Sequence, residues 1–308
     1  DVFGLSDMEL ASPSHYHAIG LKQLLEEEIF CDIRDSDTLT AHVNRLKPDF
    51  IFHLAAQPLV KHSIIDPLGT FMTNTIGTLN LLGSVRDLDN IVVVLVTSDK
   101  VYENQGWLWG YRESDALGGK DPYSASKAMA EIGIQSFFRT FYESEAGVKV
   151  AVGRAGNVIG GGDWAKDRLI PDTVRAWSSG STVSIRNPDA TRPWQHVLEP
   201  LGGYLKLACD LGLGEIATDR CEAFNFGPRS DQNISVKGLL EMMLERWGGG
   251  GYRVDFVQSA PEAGLLRLNC DKAAEQLGWT ATLAIEECVS LTIDWYAEFL
   301  RNENSMRD

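Results

Sequence analysis

The sequence is poor in the features that announce whole classes of protein. Its five cysteines, Cys31, Cys209, Cys221, Cys270 and Cys288, are scattered and form no CxxC pair. That excludes a disulfide framework and the usual zinc spacings, and it reads as reduced thiols in a cytoplasmic compartment with no metal site. Lys and Arg number 28 against 43 Asp and Glu, a net charge of −15, with no basic run. A nucleic-acid partner needs a basic patch, so none is expected. The longest purely apolar run is Ile91 to Val96, far too short to span a membrane. There is no GxSxG, HExxH or spaced triad, no internal repeat and no low-complexity tract.

What is present is a rhythm. "DFIFHLAA" (49–56), "IVVVLVTS" (91–98) and "VKVAVGRAGNV" (148–158) are apolar, β-branched runs separated by helical patterns at 70–87 and 122–143. Continuous rather than alternating hydrophobicity predicts strands covered on both faces, hence an α/β fold with a doubly wound parallel sheet of Rossmann type. The rhythm breaks after residue 158. "AFNFGP" (223–228) predicts one more short strand, 235–247 a helix and "GGGGY" (248–252) a turn. The expected division is a dinucleotide-binding domain over 1–158 with returning segments near 192–227. A smaller α+β substrate domain takes 159–191 and 228–308.

Polar residues collect where the strands stop: "HLAAQ", "TSDK" and "RAGNV" end on one edge of a parallel sheet, where such folds bind ligands. "DPYSASK" (121–127) then places Tyr123 and Lys127 four apart, on one face of a helix that Pro122 starts. A cation about 4 Å from a phenol favours the phenolate by about 4 kcal/mol at an effective dielectric near 20, roughly three pKa units. That expectation makes Tyr123 a base for an alcohol.

Tyr123-x-x-x-Lys127 with Thr97-Ser98 upstream resembles the extended short-chain dehydrogenase/reductase superfamily. The finer resemblance is to the CDP-glucose 4,6-dehydratases. It is carried by "DIRD" (32–35), "PDFIFHLAAQPLV" (48–60), "TNTIGTLNLL" (73–82) and "TSDKVYEN" (97–104), and by "WGYRESDALGGKDPYSASK" (109–127), "RAGNVIGGGDWAKDRLIPD" (154–172) and "RPWQHVLEPLGGYL" (192–205).

The resemblance implies a bound NAD. Asp32 and Ile33 would contact the adenine; Ala55, Ala56, Gln57 and Thr73 would line the phosphate-ribose path; Thr97, Tyr123 and Lys127 would stand at the nicotinamide end. It implies substrate contacts at Asn157, Arg168, Leu169, Ile170, Arg192 and Asn225, with Arg192 a forked donor to a diphosphate. The implied reaction converts CDP-glucose to CDP-4-keto-6-deoxyglucose and water. Thr97, Asp99, Lys100, Tyr123 and Lys127 are its catalytic set, with Asp99 as acid and Lys100 as the base at C5.

A homodimer through helices 70–87 and 122–143 is implied too, and lipopolysaccharide sugars are the usual destination of the product. The rival readings are a nucleotide-sugar 4-epimerase, a GDP-mannose dehydratase or a silent NAD-sensing protein. The chain departs from the pattern in two places. The Gly-rich GxxGxxG loop is absent, and "DVFGLSD" reads as a second strand, so roughly thirty residues are expected to precede Asp1. "APEAGLLRLN" (260–269) differs from the family, and no contact is carried over to it.

Overall fold

A computed structural model describes residues 1–143, 147–229, 232, 234–255 and 265–301. Its centre is a parallel sheet in which β3 (Phe50–His53), β4 (Ile91–Val96), β5 (Val148–Ala155) and β6 (Glu222–Phe226) lie in the order β6-β5-β4-β3. The register sets Val93 beside Val150 and Val96 beside Gly153. β1 (Phe3–Ser6) and β2 (Glu27–Phe30) form a second, two-stranded parallel sheet, so the predicted sheet arrives in two parts. Among the described residues β3 has one strand neighbour, and Phe50, Phe52 and Leu54 beside that free edge are exposed.

The Val/Ile runs form central strands because helices bury both faces. On one face α1 (Ser36–Leu46), α3 (Thr78–Ser84) and α4 (Pro122–Phe137) share a core with Val93, Leu95, Val150 and Val152. On the other, α6 (Leu198–Leu213) packs Tyr204, Leu207 and Leu211 on Val92, Val94 and Phe224. The helix expected over 70–87 is a composite: α2 (Pro67–Phe71), a π-helical stretch Met72–Gly77, then α3. The helix expected over 122–143 likewise turns π-helical at Phe138–Tyr142. Predicted strands run two to three residues too long at their C-terminal ends, where the polar residues leave the ladder.

A second core gathers α5 (Leu169–Ser178), α7 (Val236–Trp247) and α9 (Ile285–Arg301) around Trp177, Leu240 and Tyr296. Here Val183–Ile185 pairs with Tyr252–Val254. Residues of α8 (Asp271–Leu277), with Trp279 and Ala281, pack on the sheet side with Phe226 rather than in this second core. That is the opposite side from the expected boundary. Of 260–269, residues 260–264 lie outside the described residues, while Leu268 bridges Tyr111.

Candidate active site

β4 delivers its polar end into the crevice because its six apolar residues anchor it in the sheet. Beyond Val96 the chain turns: Ser98 is extended, and its hydroxyl accepts the Lys100 N–H at 3.2 Å, capping a single helical turn over Asp99–Val101. The turn folds Asp99 back into the protein, where it is fully buried. Asp99 Oδ1 accepts from Lys100 Nζ at 3.1 Å and from Ser98 Oγ at 3.0 Å, while Oδ2 is buried without a hydrogen-bond partner. Gly156 faces that oxygen; a Cβ there would stand 3.0 Å from Pro193 and 3.6 Å from Asp99 Oδ2, so only glycine leaves the approach open.

Lys100 reaches across to the segment just beyond β5, where its Nζ donates to Asn157 Oδ1 at 3.2 Å. Burial is the strongest influence on this ammonium and pulls its pKa down. The charges of Asp99 and Tyr123 and the hydrogen bond to Asp99 outweigh it, and the net shift is upward.

Helix α4 presents the expected pair. Asp121 caps it through the Ser124 N–H at 3.0 Å, Pro122 occupies its first turn, and Tyr123 and Lys127 are both buried. Their electrostatics depart from expectation. Burial raises the Tyr123 pKa, and the cation that most opposes this is Lys100, not Lys127. The i, i+4 spacing puts both side chains on one face, but Lys127 turns to the carbonyl of Val96 at 3.3 Å. Burial lowers the Lys127 pKa to about 8, against a smaller upward pull from Glu131.

Behind the crevice lies a polar network that the sequence reading missed. Thr97 Oγ1 lies 2.5 Å from Glu131 Oε1. Arg154 Nε donates to both oxygens of Glu131 at 2.9 and 3.0 Å, and both side chains are almost wholly buried. Arg154 also donates to the Tyr102 hydroxyl at 2.7 Å, and Tyr102 donates to Asn225 Oδ1 at 2.7 Å. The available signal was an arginine inside the apolar run "VKVAVGRA", since a buried guanidinium requires an anionic partner. Glu131, one turn beyond Lys127, is that partner.

The expected substrate contacts divide. Asn157 meets Lys100, and the charges of Arg168 and Arg192 are felt by Tyr123 and Lys100 respectively, which places them around the same crevice. Arg168 is held by Asp163 at 2.9 Å, and Leu169 and Ile170 open α5, with Ile170 in the second core. Asn225 is fully buried: its Nδ2 donates to the carbonyls of Tyr111 and Asn269, and its Oδ1 accepts from Tyr102, so both ends of the side chain are held by the scaffold.

Of the expected cofactor contacts, Asp32 is bound by Arg34 Nε at 2.9 and 3.0 Å, and Ile33 is buried against Gly77. Gln57 donates to Thr70 at 2.9 Å and accepts from the Leu59 N–H at 2.6 Å, so its amide serves the loop. Asn74, in the π-helical stretch beside Thr73, clamps the Gln57 backbone at 2.8 Å and Ser126 at 2.9 Å. The residues present fit NAD at this edge. Ala55 and Ala56 leave the backbone approachable, and the Lys127 ammonium has three N–H groups and one hydrogen-bonded carbonyl. Among the described residues no group of His, Cys, Asp and Glu is arranged for a metal, and no helix is long and apolar enough to cross a membrane.

Comparison with known proteins follows the same lines. The sequence profile of the family described as GDP-mannose 4,6 dehydratase matches residues 21–292. A CDP-glucose 4,6-dehydratase of Salmonella typhimurium is 42% identical over 300 residues, covering 96% of this chain and 83% of the relative. A dTDP-glucose 4,6-dehydratase of Xanthomonas campestris pv. campestris is 27% identical over 284 residues, covering 86% and 77%. Among solved structures, Pal from Bacillus thuringiensis superposes with a TM-score of 0.83 at 22% identity, covering 97% of this chain and 91% of that one. A dTDP-glucose 4,6-dehydratase from Bacillus anthracis in complex with NAD superposes at 0.79 and 20% identity, covering 96% and 87%. These structural likenesses establish the fold.

Proposed function

The chain belongs to the GDP-mannose 4,6 dehydratase family, and from that premise we propose that it uses NAD to convert CDP-glucose to CDP-4-keto-6-deoxyglucose and water. The observation that carries the reading is the Asp99–Lys100 pair at the end of β4, hydrogen-bonded at 3.1 Å beside Tyr123. An epimerase has no use for an acid and a base aimed at C5 and C6. The 42% identity to a CDP-glucose enzyme supports the choice of nucleotide.

Tyr123 takes the proton of the C4 hydroxyl at its phenolic oxygen, while Lys100 beside it favours the charged form. Bound NAD would supply the hydride chemistry between C4 and C6. Lys127, with Ala55 and Ala56 along the same edge, would hold and orient that cofactor. Once C4 is a ketone the C5 proton is acidic, and Lys100 removes it at Nζ. Asp99 gives its proton to the C6 hydroxyl, which leaves as water.

These last roles require a proton on Asp99 and a neutral amine at Lys100, whose raised pKa keeps it an ammonium at rest. One proton passing from Nζ to Oδ1 along the existing hydrogen bond produces both at once. A ligand that excludes water from the crevice favours this step, because desolvation penalises the two charges together.

Arg168 and Arg192, on the substrate side, are the cations suited to the diphosphate. A homodimer belongs to the same proposal, through the exposed apolar side chains Ile65, Leu68 and Met72 with Met129 and Ile132 of α4. The test is incubation with CDP-, dTDP-, UDP- and GDP-glucose and GDP-mannose in deuterium oxide. CDP-glucose should yield a 4-keto-6-deoxy product carrying deuterium at C5. A product that keeps its 6-hydroxyl, or preference for another nucleotide, overturns the assignment.

A further inference from the structure

The proposed reaction moves protons at two places. Tyr123 gains one when the C4 hydroxyl becomes a ketone, and the Asp99–Lys100 pair loses one when the C6 hydroxyl leaves as water. The C5 proton makes no net change, since Lys100 removes it and C5 takes one back as the C6 methyl group forms. Each turnover thus leaves Tyr123 with one proton extra and the pair one short. A single hydroxyl joins the two places. α4 packs on the Asp99–Val101 turn, and Ser98, just before that turn, hydrogen-bonds the Tyr123 phenol. The Ser98 hydroxyl also donates to Asp99 Oδ1 at 3.0 Å, the oxygen that accepts from Lys100 Nζ at 3.1 Å. Ser98 is 5% exposed and Asp99 fully buried, so this row runs inside the protein. A hydroxyl has one hydrogen, and once Asp99 has released its proton it is a carboxylate, which can only accept. The Ser98 hydrogen then lies toward Asp99, and Ser98 accepts from Tyr123. Both donors point one way, from phenol to carboxylate.

We propose that Ser98 returns the proton: the hydrogen that Tyr123 takes from the C4 hydroxyl recharges the Asp99–Lys100 pair through the Ser98 hydroxyl. The inference rests on the dehydratase reading. The Tyr123 O–H bond breaks as one forms at Ser98 Oγ, and the hydrogen already on Ser98 moves to Asp99 Oδ1. Tyr123 is again a phenolate and Ser98 is unchanged. Asp99 is again an acid, sharing its proton with Lys100 Nζ along their hydrogen bond. The 3.0 and 3.1 Å links are within the reach of direct proton transfer. No oxidant, reductant or outside base enters, so the hydrogen lost from one C4 hydroxyl recharges the acid for the next C6 hydroxyl. Ser98 acts on the sugar only through Tyr123 and Asp99.

The test is rapid-quench product formation by the NAD-loaded enzyme on CDP-glucose, comparing the first turnover with later ones. Wild type, Ser98→Ala and Ser98→Thr are each checked for folding by thermal melt. Each is run at its own optimum pH, since Ser98→Ala also removes a hydrogen bond that favours the Tyr123 phenolate. In Ser98→Ala the ratio of first-turnover rate to steady rate should rise about tenfold or more over wild type, because the first turnover needs no return of the proton. Imidazole, small enough to carry a proton into the open crevice, should raise the steady rate of Ser98→Ala and leave that of the wild type unchanged. Ser98→Thr, which keeps a hydroxyl, should hold the wild-type ratio to within about threefold. First and later turnovers slowed alike in Ser98→Ala, or a steady rate equal to wild type, overturns the inference; the second result means that the proton returns through solvent. If Ser98→Ala does not fold, Ser98→Val replaces it, since a β-branched side chain suits the extended backbone of Ser98. Turnover by the wild type of another nucleotide sugar overturns only the substrate assignment, and the comparison is then run on that sugar. Turnover of none overturns both.

Discussion

At the scale of single residues, Lys100 carries two duties that one substitution separates from binding. It holds Asp99 and Asn157, and its charge is the main one drawing the Tyr123 phenol down against burial. Lys100→Met keeps most of the stem while removing charge and proton acceptor together. Product formation should fall by about 10²-fold or more, the usual contribution of a general base. Affinity for CDP by titration calorimetry should stay close to wild type. The ascending, acidic limb of any residual C4 oxidation should also move to higher pH, because burial then acts on the Tyr123 base without Lys100 against it. Wild-type exchange of deuterium into C5 by this variant would sink the base assignment. The sequence showed the dipeptide and the helical Tyr123/Lys127 pair but not the direction of each cation. Spacing fixes which face of a helix a side chain leaves from, and a lysine's four-carbon stem decides the rest after folding.

Elements make polar residues buried or exposed, and β3 shows the consequence. Its last residue, His53, is 6% exposed, and its Nε2 lies 3.0 Å from Thr78 Oγ1 on α3. Burial, helped by the nearby charge of Lys127, depresses its pKa from 6.5 to about 3. The unfolded chain therefore takes up a proton below pH 6.5 that the native protein refuses until about pH 3. Native stability falls as pH drops through that window, by up to about 1.4 kcal/mol per pH unit. Urea unfolding at pH 6.5 and 5.0 should show the wild type losing about 2 kcal/mol more than His53→Asn. Equal losses would place a charged or water-exposed imidazole at this position.

The sequence showed this strand through its apolar run, and Ala55-Ala56-Gln57 through their place after it. It did not show that the 70–87 helix holds a π-helical stretch. That stretch puts Asn74 under Gln57, a contact spanning 17 residues. Neither a 3.6-residue period nor local propensity encodes it. The Thr97–Glu131–Arg154–Tyr102–Asn225 chain escaped for the same reason: its links join residues from 23 to 123 positions apart.

Across the whole molecule, the fold class was legible because a buried parallel sheet imposes continuous apolar runs. The assembly was legible only through resemblance, and the structure now supplies a physical ground for proposing it. Ile65, Leu68, Met72 and Ile76 are exposed at helical spacing along the 60–84 segment, Ile65 by 80% and Leu68 by 76%. Met129 and Ile132 are exposed on α4, which packs beside that segment. Six large apolar side chains on adjoining helices form a face that a monomeric soluble protein seldom leaves in water. The same helices hold Asn74 and Tyr123 on their inner sides, so covering this face would also steady the crevice. A two-fold axis beside α4 brings like helices together, so one substitution appears twice in the interface. Leu68→Glu with Met129→Glu would set four carboxylates in an apolar contact, each costly to desolvate. Sedimentation velocity should show a dimer for the wild type and a monomer for the double variant, with the far-ultraviolet circular dichroism of the fold retained. A wild type that sediments as a monomer at micromolar concentration would remove this face from the proposal.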